Sequence, residues 1–372
     1  MIYLILPISP YHGWGICGKN LGRELLQLTP IRYLACNGYD LGAHAFDKTA
    51  YGQLAVNAMG EHAPLIQAAD WDMTPWGGQF SASRKVGLIF TDRMIHQEQI
   101  NAWKGYWDVL VAGSRWCQQV LAGMGIASIV ICQGIDPLLF NEGYATKQLL
   151  KDNFVVFSGG KFEFKKSQDL VIRAFQIFQQ RHDDVVLVAA WFNQWLENMR
   201  TMQASRHIRF TTTATDYESI VKHTLAENDI DLRRVLVLGP MHNSIMSSAY
   251  QNSDVGVFPH RGEAGTNLVL MEYMACGKPA IVSFFAGHTD IADDSNAILM
   301  KSITTCQVYG PNRELIGDWG EPSISDIVDR LEWAYQHQTE VARLGTAAAV
   351  SMKSRTWRRM AEEMLPVVQA AG

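Results

Sequence analysis

The sequence is short of cysteine, has no strong excess of either charge and contains no long apolar run, and each absence removes a class of protein. Its six cysteines, at positions 17, 36, 117, 132, 276 and 306, are scattered through 372 residues and form no CxxC pair. That spacing offers neither a zinc cage nor a disulfide framework, and fits small buried thiols in a reducing compartment. Lys and Arg total 32 against 37 Asp and Glu, a formal charge of -5. Such a chain has no global attraction for a nucleic-acid backbone, so no nucleic-acid partner is expected. The longest unbroken apolar stretch, Val185–Phe192, is far shorter than the ~20 residues of a membrane helix. The opening MIYLILPISP lacks a basic leader and a small-residue cleavage site, reads as a first buried strand, and makes a cytoplasmic protein the expectation.

What is present is a regular alternation of short β-branched runs with amphipathic segments, the pattern of parallel sheets wrapped by helices. The runs are Ile2–Ile8, Arg32–Cys36, Val86–Phe90, Val109–Ala112 and Ser128–Cys132, then Phe154–Ser158, Val185–Ala190, Val235–Leu238, Val255–Pro259 and Ala280–Ser283. The fold class is therefore α/β with two doubly wound, Rossmann-like units, and strands this apolar on both faces need helices on both sides. The polar stretch Asn141–Asp152 places the boundary, giving domains 1–150 and 151–355. Asn37–Ser83 is rich in Gly, Trp and polar residues and reads as an irregular insertion bordering a cleft. From about Ser323 the chain is helical, with breaks near Gln336 and Ser354.

In doubly wound sheets ligands bind beyond the carboxyl ends of the strands. The segment FPHRGEAGTNLVLMEYMACGKPAI, Phe258–Ile281, ends a strand, turns through HRGEAGT and starts an apolar helix near Asn267. Backbone N–H groups of Thr266, Asn267 and Leu268 at that helix start form an anion site, and Gly265 allows close approach. Glu263 lies in the loop. Glu272 lies on the apolar helix, where its charge needs either solvent or specific donors such as a ribose diol. A second segment, SGGKFEFKKSQDLVIRAF, repeats strand, glycine loop and helix, and its Lys161 and Lys166 can neutralise a diphosphate leaving group. Lys165 is expected to point into solvent.

Together with GWGICG near the start and AGSRWCQQVLAGMGIASIVICQGIDPLLF before the linker, these segments resemble bacterial glycosyltransferases of the GT-B fold, family 4. The likeness covers most of the chain and is weakest over 37–83. It implies that Glu263 contacts the donor sugar, Glu272 the ribose of its nucleotide, and Lys161, Lys166 and the amides of Gly265 to Leu268 the diphosphate. Gly13 and Gly15 would form an N-domain loop facing the phosphates, and helix 356–372 would cross back to the first domain. The chain departs from the family in having eight residues between its two glutamates instead of seven, which puts Ala264 in the usual first-glutamate place. Lys161 stands where arginine is frequent and Ser167 where glycine is usual. For the N-domain group near the anomeric carbon, VGLIFTDRMIHQEQ offers Asp92 and His96, of which Asp92 is preferred.

The resemblance implies a retaining transferase that moves a sugar from a UDP- or GDP-sugar to a glycan, lipid-linked or other hydroxyl acceptor, with no metal or other cofactor and at most peripheral membrane contact. Two other readings stay open: a silent domain of the same fold that binds a nucleotide-sugar or glycan, and a nucleotide-sugar epimerase. GWGICG also fits the dinucleotide fingerprint GxGxxG, but Ser9–His12 separate it from the strand and Asn37, not an acid, follows the second strand. Asp70-Trp71-Asp72 mimics a metal-diphosphate motif without partner ligands. His242, His260 and His288 read as loop histidines without metal-ligand spacing, and Trp14 and Trp116 as cleft-wall residues.

Overall fold

The computed structural model describes residues 1–34, 51–60, 62–309 and 314–370. β1 (Ile2–Ile5), β2 (Ile31–Leu34), β3 (Ala55–Val56), β4 (Leu65–Ala69), β5 (Lys85–Ile89), β6 (Val109–Ala112) and β7 (Ile129–Val130) form one sheet in the order β3-β2-β1-β4-β5-β6-β7. A second sheet takes β8 (Phe154–Gly159), β9 (Val185–Ala190), β10 (Val235–Val237), β11 (Val255–Phe258), β12 (Ala280–Ser283) and β13 (Ile298–Met300) in the order β10-β9-β8-β11-β12-β13. Every neighbouring pair in both sheets is parallel. Strand order reverses beside β1 in the first sheet and beside β8 in the second, and these are the switch points where such sheets bind ligands.

Two features differ from the sequence expectation. The stretch 37–83, read as an irregular insertion, contributes β3 and β4, and β4 is a central strand with all five residues buried. LIQAA has one β-branched residue and a glutamine, so it carries a weak strand signal. Gln67 is fully buried because its amide donates to Trp76 O and Gly78 O, at 2.5 and 2.8 Å, and accepts from Tyr106 OH at 2.8 Å. Residues 37–50 and 61 of that stretch, and residues 35–36 with Cys36 at the end of the run Arg32–Cys36, lie outside the described residues. The second feature is an antiparallel pair after β13, β14 (Ile303–Tyr309) with β15 (Leu315–Pro322), forming a small sheet of its own.

Helices Ile324–Gln336, Gln338–Met352 and Trp357–Gln369 follow, separated at His337 and at Lys353–Thr356. The last one leaves the second sheet and packs on helix Gly13–Leu26 of the first, with Arg84 Nε donating to Val367 O at 2.7 Å. The chain passes between the sheets twice, and the two passages run side by side: Ile135 N donates to Arg355 O at 2.9 Å, and Trp357 N to Ile135 O at 3.3 Å. Gly134 is needed there, since a Cβ would stand 2.1 Å from the Thr356 carbonyl carbon. Cys17, Cys117 and Cys276 are buried free thiols, and Cys132 and Cys306 are partly buried ones.

Candidate active site

The carboxyl ends of both sheets face each other. Pro10, Tyr11, His12, Gly13 and Ile16 from the first domain meet Gly160, Lys161, Phe192, Met241, Leu268 and Glu272 from the second around a cavity of about 130 Å³. A larger interdomain cavity of about 550 Å³ is bounded by Arg115, Cys132, Asp290, Arg355, Arg359 and Glu363. It contains none of the residues singled out above, and Arg115 and Arg359 are paired locally with Asp290 and Glu363.

Glu272 is not a solvated helix glutamate. The helix Leu268–Ala275 is buried at seven of its eight residues, and Glu272 is 3% exposed. Its Oε1 accepts from Asn243 Nδ2 at 2.8 Å and its Oε2 from Tyr250 OH at 2.9 Å. Burial outweighs those two donors and pushes the carboxyl up to about 7. A carboxylate held at a cavity wall, with lone pairs to spare, suits a vicinal diol.

The helix start is built by Asn267, whose backbone has φ 65° and whose Oδ1 caps Leu270 N at 3.3 Å. Met271 N bonds Asn267 O, so the amides of Leu268 and Val269 form the first helical turn. Other residues expected at this anion site are placed differently. Thr266 is fully buried and its hydroxyl meets Met271 Sδ at 3.0 Å. Gly265 makes room for the other domain, because a Cβ there would stand 3.0 Å from Gln133 Oε1 and 3.3 Å from the Phe90 ring. Gly13 and Gly15 are not in a loop but open the helix Gly13–Leu26, capped by His12 Nδ1 accepting from Gly15 N at 3.1 Å. Gly13 lies opposite Leu268, whereas Gly15 has no Cβ because Ser9 occupies that space.

Three lysines of the loop between β8 and helix Gln168–Arg181 each face a carboxylate. Lys166 Nζ is 2.5 Å from Glu263 Oε2, Lys165 Nζ is 2.6 Å from Asp92 Oδ2, and Lys161 Nζ is 3.7 Å from Glu163 Oε2. The second pair corrects the expectation for Lys165: its side chain is 23% exposed and reaches into the first domain. Burial opposes the charge of Asp92, yet Lys165 and then Arg93 hold its carboxyl below the usual range. Burial likewise opposes Glu263, but Lys166 and His260 hold it far below. Burial, with Lys166 adding to it, keeps His260 neutral-leaning, and burial brings His288 down to about 3. Ser167 ends the loop at φ 60°, the left-handed conformation that explains why glycine suits that place. His96, the other N-domain candidate, is exposed at the start of helix Gln97–Trp103.

His260 Nδ1 stands 3.0 Å from Glu263 Oε2, and the Asn267 amide contacts His260 Nδ1 at 3.1 Å and His288 Nε2 at 3.0 Å. The three possible ligand atoms of His260, Glu263 and His288 lie within 4.8 Å of one another. The Lys166 ammonium and the Asn267 NH2 point into that same group, so the cationic partner of Glu263 here is a lysine. His242 caps the turn Asn243–Ile245. Asp70 and Asp72 belong to a turn, where they accept from Trp71 N and Thr74 N. Of the cleft-wall tryptophans, Trp14 packs edge-on to Phe90 and Trp116 lies against Phe285 of the second domain.

The sequence reading missed two residues. Arg261 is fully buried, bidentate on Asp169 at 2.7 Å to each oxygen, and bonded to Glu321 at 2.8 Å and to Phe164 O at 2.8 Å. It ties the lysine loop to β15. Trp319 of β15 donates from Nε1 to Asp92 O at 2.8 Å, and Met94 N donates to Ile316 O at 2.7 Å, so the hairpin grips the Asp92 segment of the first domain. The only sequence signal was an isolated arginine inside the apolar-to-loop junction PHRGE.

Residues 152–306 match the family described as glycosyl transferases group 1. Among solved structures, sucrose-phosphate synthase from Thermosynechococcus elongatus superposes with a TM-score of 0.69 at 15% identity, covering 98% of this chain and 97% of that one. HepE from Anabaena, in complex with UDP-glucose, gives 0.64 at 13% identity over 99% and 100% of the two chains. An α,α-trehalose 6-phosphate synthase from Burkholderia multivorans gives 0.62 at 11% identity over 99% and 98%. No curated protein sequence matches the chain. Two parallel-sheet α/β domains facing a cleft, shared along the full length with these enzymes, are the GT-B fold, and the second of them carries the group 1 glycosyl transferase match.

Proposed function

We propose that the chain is a retaining glycosyltransferase that takes a sugar from a nucleoside diphosphate-sugar and gives it to an acceptor hydroxyl, without a metal ion. The donor lies on residues 151–355, and the acceptor on residues 1–150 with the returning helix 356–372. The observation that carries this reading is the buried Glu272 carboxylate lining the same cavity as Lys161, with Lys166 following in the loop that carries Lys161. Glu272 receives the ribose diol. The diphosphate lies over the first turn of helix Leu268–Ala275, where unpaired amides and the helix dipole favour an anion. An ammonium has three N–H donors, so Lys166 keeps Glu263 and still offers two to the leaving diphosphate. Glu263 meets the sugar, and Asp92 faces the anomeric carbon from the first domain. Retention follows from attack on the leaving-group face, with a diphosphate oxygen taking the acceptor proton as the glycosidic bond forms. The neighbour HepE is described with UDP-glucose, with UDP and glucose, and with UDP, which supports a uridine donor as the first to try. Bacterial glycan or glycoconjugate synthesis is the setting in which such a transferase works.

The test is a thermal-shift panel of UDP, GDP, ADP and their sugars, with and without EDTA, followed by sugar release from the donor that binds. One nucleotide should raise the melting temperature, EDTA should leave the rise unchanged, and Glu272→Ala should abolish it. No shift with any nucleotide would sink the donor site, and binding without turnover would leave a recognition module.

A further inference from the structure

The cavity of about 550 Å³ between the domains has no part in the donor site, and it shares no lining residue with the cavity that holds Glu272 and Lys161. Both passages of the chain between the sheets border it, through Gln133 on the first and Ser354, Arg355 and Thr356 on the second. Arg115 comes from the first domain and Thr289, Asp290 and Asp293 from the second. The volume and the position between domains are those of small-molecule sites. A ligand seated there touches both domains.

The lining carries one guanidinium that lacks a carboxylate. Arg355 is half-buried, its Nη2 donates to Asp290 O, and it enters no ion pair among the described residues. A guanidinium has five N–H groups in a planar fork that suits a phosphate, and this bond commits one of them. Two more arginines line the same space. Arg115 is 3.4 Å from Asp290 and Arg359 is 2.8 Å from Glu363, with side chains 75% and 59% exposed. Ion pairs this exposed contribute little, so either arginine can turn towards an anion.

The rest of the lining is made of acceptors. Asp293 has no cation within ion-pair distance among the described residues, and its Oδ1 accepts from Ser295 N at 2.8 Å. Asp290 Oδ2 takes Arg115 N at 2.8 Å and keeps lone pairs to spare. Thr289 Oγ1 donates to Ala286 O at 2.8 Å and can still accept, while Ser354 adds an exposed hydroxyl. A bare phosphate would be drawn to Arg355 and repelled by these carboxylates. Hydroxyl groups on the same molecule turn the carboxylates into partners.

We propose that this interdomain cavity is a second binding site, for a sugar phosphate whose phosphate is held by Arg355 and whose hydroxyls donate to Asp290 and Asp293. Arg115 and Arg359 turn to the phosphate when it arrives.

The experiment is calorimetric titration of the full chain with glucose 6-phosphate, fructose 6-phosphate and glycerol 3-phosphate, beside glucose, inorganic phosphate and glutamate. At least one of the three phosphate esters should bind about tenfold or more tightly than each of the three controls. Arg355→Gln keeps a donor for Asp290 O but loses the charge, and should weaken that binding roughly 10–100-fold. Ser354→Asp puts an anion on an exposed position of the lining and should weaken it as well, with melting curves showing both variants folded. Lys161→Ala should leave it unchanged. Nucleotides play no part in the readout, so a failed donor site would not alter these outcomes. Binding by none of the three esters, inorganic phosphate or glutamate binding as tightly as they do, or full affinity in folded Arg355→Gln and Ser354→Asp would each overturn the proposal. Loss of binding in Lys161→Ala would overturn it too, by placing the ligand in the donor cleft.

Discussion

Lys165 Nζ stands 2.6 Å from Asp92 Oδ2 and joins the two domains at the point where the chemistry is placed. Asp92 is 4% exposed, so its charge is stable only because this partner, with Arg93 at 3.5 Å, faces it. Lys165→Ala would therefore be damaging, where a solvated lysine would be neutral. The folded carboxyl is held below its ordinary value, so the pair stabilises the protein above the usual aspartate range and that contribution fades as pH falls through the folded value. Urea unfolding at pH 7 should show a loss of about 3 kcal/mol in Lys165→Ala, shrinking toward pH 3. A loss that is the same at both pH values would show that the ion pair is not its cause.

Lys166 and Glu263 form the second pair, with side chains each 12% exposed. If Lys166 stabilises a leaving diphosphate, Lys166→Ala should lower kcat on the order of 10²–10³-fold. The same change strands Glu263 with only His260, so loss of activity alone would be ambiguous. A melting curve beside the assay resolves this: assayed well below its own melting temperature, where it is fully folded, Lys166→Ala should still lack turnover. Turnover that returns to the wild-type value once the variant is folded would mean that Lys166 is needed only to hold the fold.

The alternation of β-branched runs made most of both sheets legible, and Val109–Ala112, Val185–Ala190 and Ala280–Ser283 match β6, β9 and β12 residue for residue. β4 was hidden because LIQAA is stabilised by what packs around it, including three bonds to the Gln67 amide, and not by its own propensity. The β14–β15 hairpin was hidden for a similar reason, as half of it is solvent-facing and its anchor is the distant Arg261. The spacing of Lys161, Lys165 and Lys166 along the loop was plain in the sequence. The partners of Lys165 and Lys166 were not: Asp92 is 73 residues from Lys165 and in the other domain, and Glu263 is 97 from Lys166 and comes beside it because β11 pairs with β8 in the second sheet.

Glu272 makes a pH prediction of the opposite sign. Its carboxyl is raised from 4.5 to about 7, so the folded protein holds a proton that the unfolded chain has released. Stability then falls as pH rises between those values and levels off above them. Glu272→Gln removes this penalty and should stabilise the ligand-free protein at pH 8 by about 2–3 kcal/mol, with little effect at pH 4.5. The same variant should lose most of its nucleotide affinity. Thermal or urea melts at the two pH values test the first part, and a stability difference that does not change with pH would mean that the carboxyl is not the titrating group.

Trp319 tests whether the β14–β15 hairpin positions the first domain or merely covers it. The residue is 5% exposed, its Nε1 donates to Asp92 O, and its ring stands within about 3.4 Å of where side chains at Gly262 and Gly317 would begin. It is thus wedged between the loop that carries Glu263 and the segment that carries Asp92. Trp319→Phe keeps most of the buried ring and removes one hydrogen bond, a change of about 1 kcal/mol in stability. If the bond sets where the Asp92 carboxylate sits, a shift of a few tenths of an ångström should lower kcat about tenfold. Donor affinity should stay the same, because the nucleotide is held by Glu272 and the lysine loop. Steady-state kinetics beside a nucleotide titration separate the two: an unchanged kcat, or a donor affinity that falls in step with it, would make the hairpin a cover and not a positioning element.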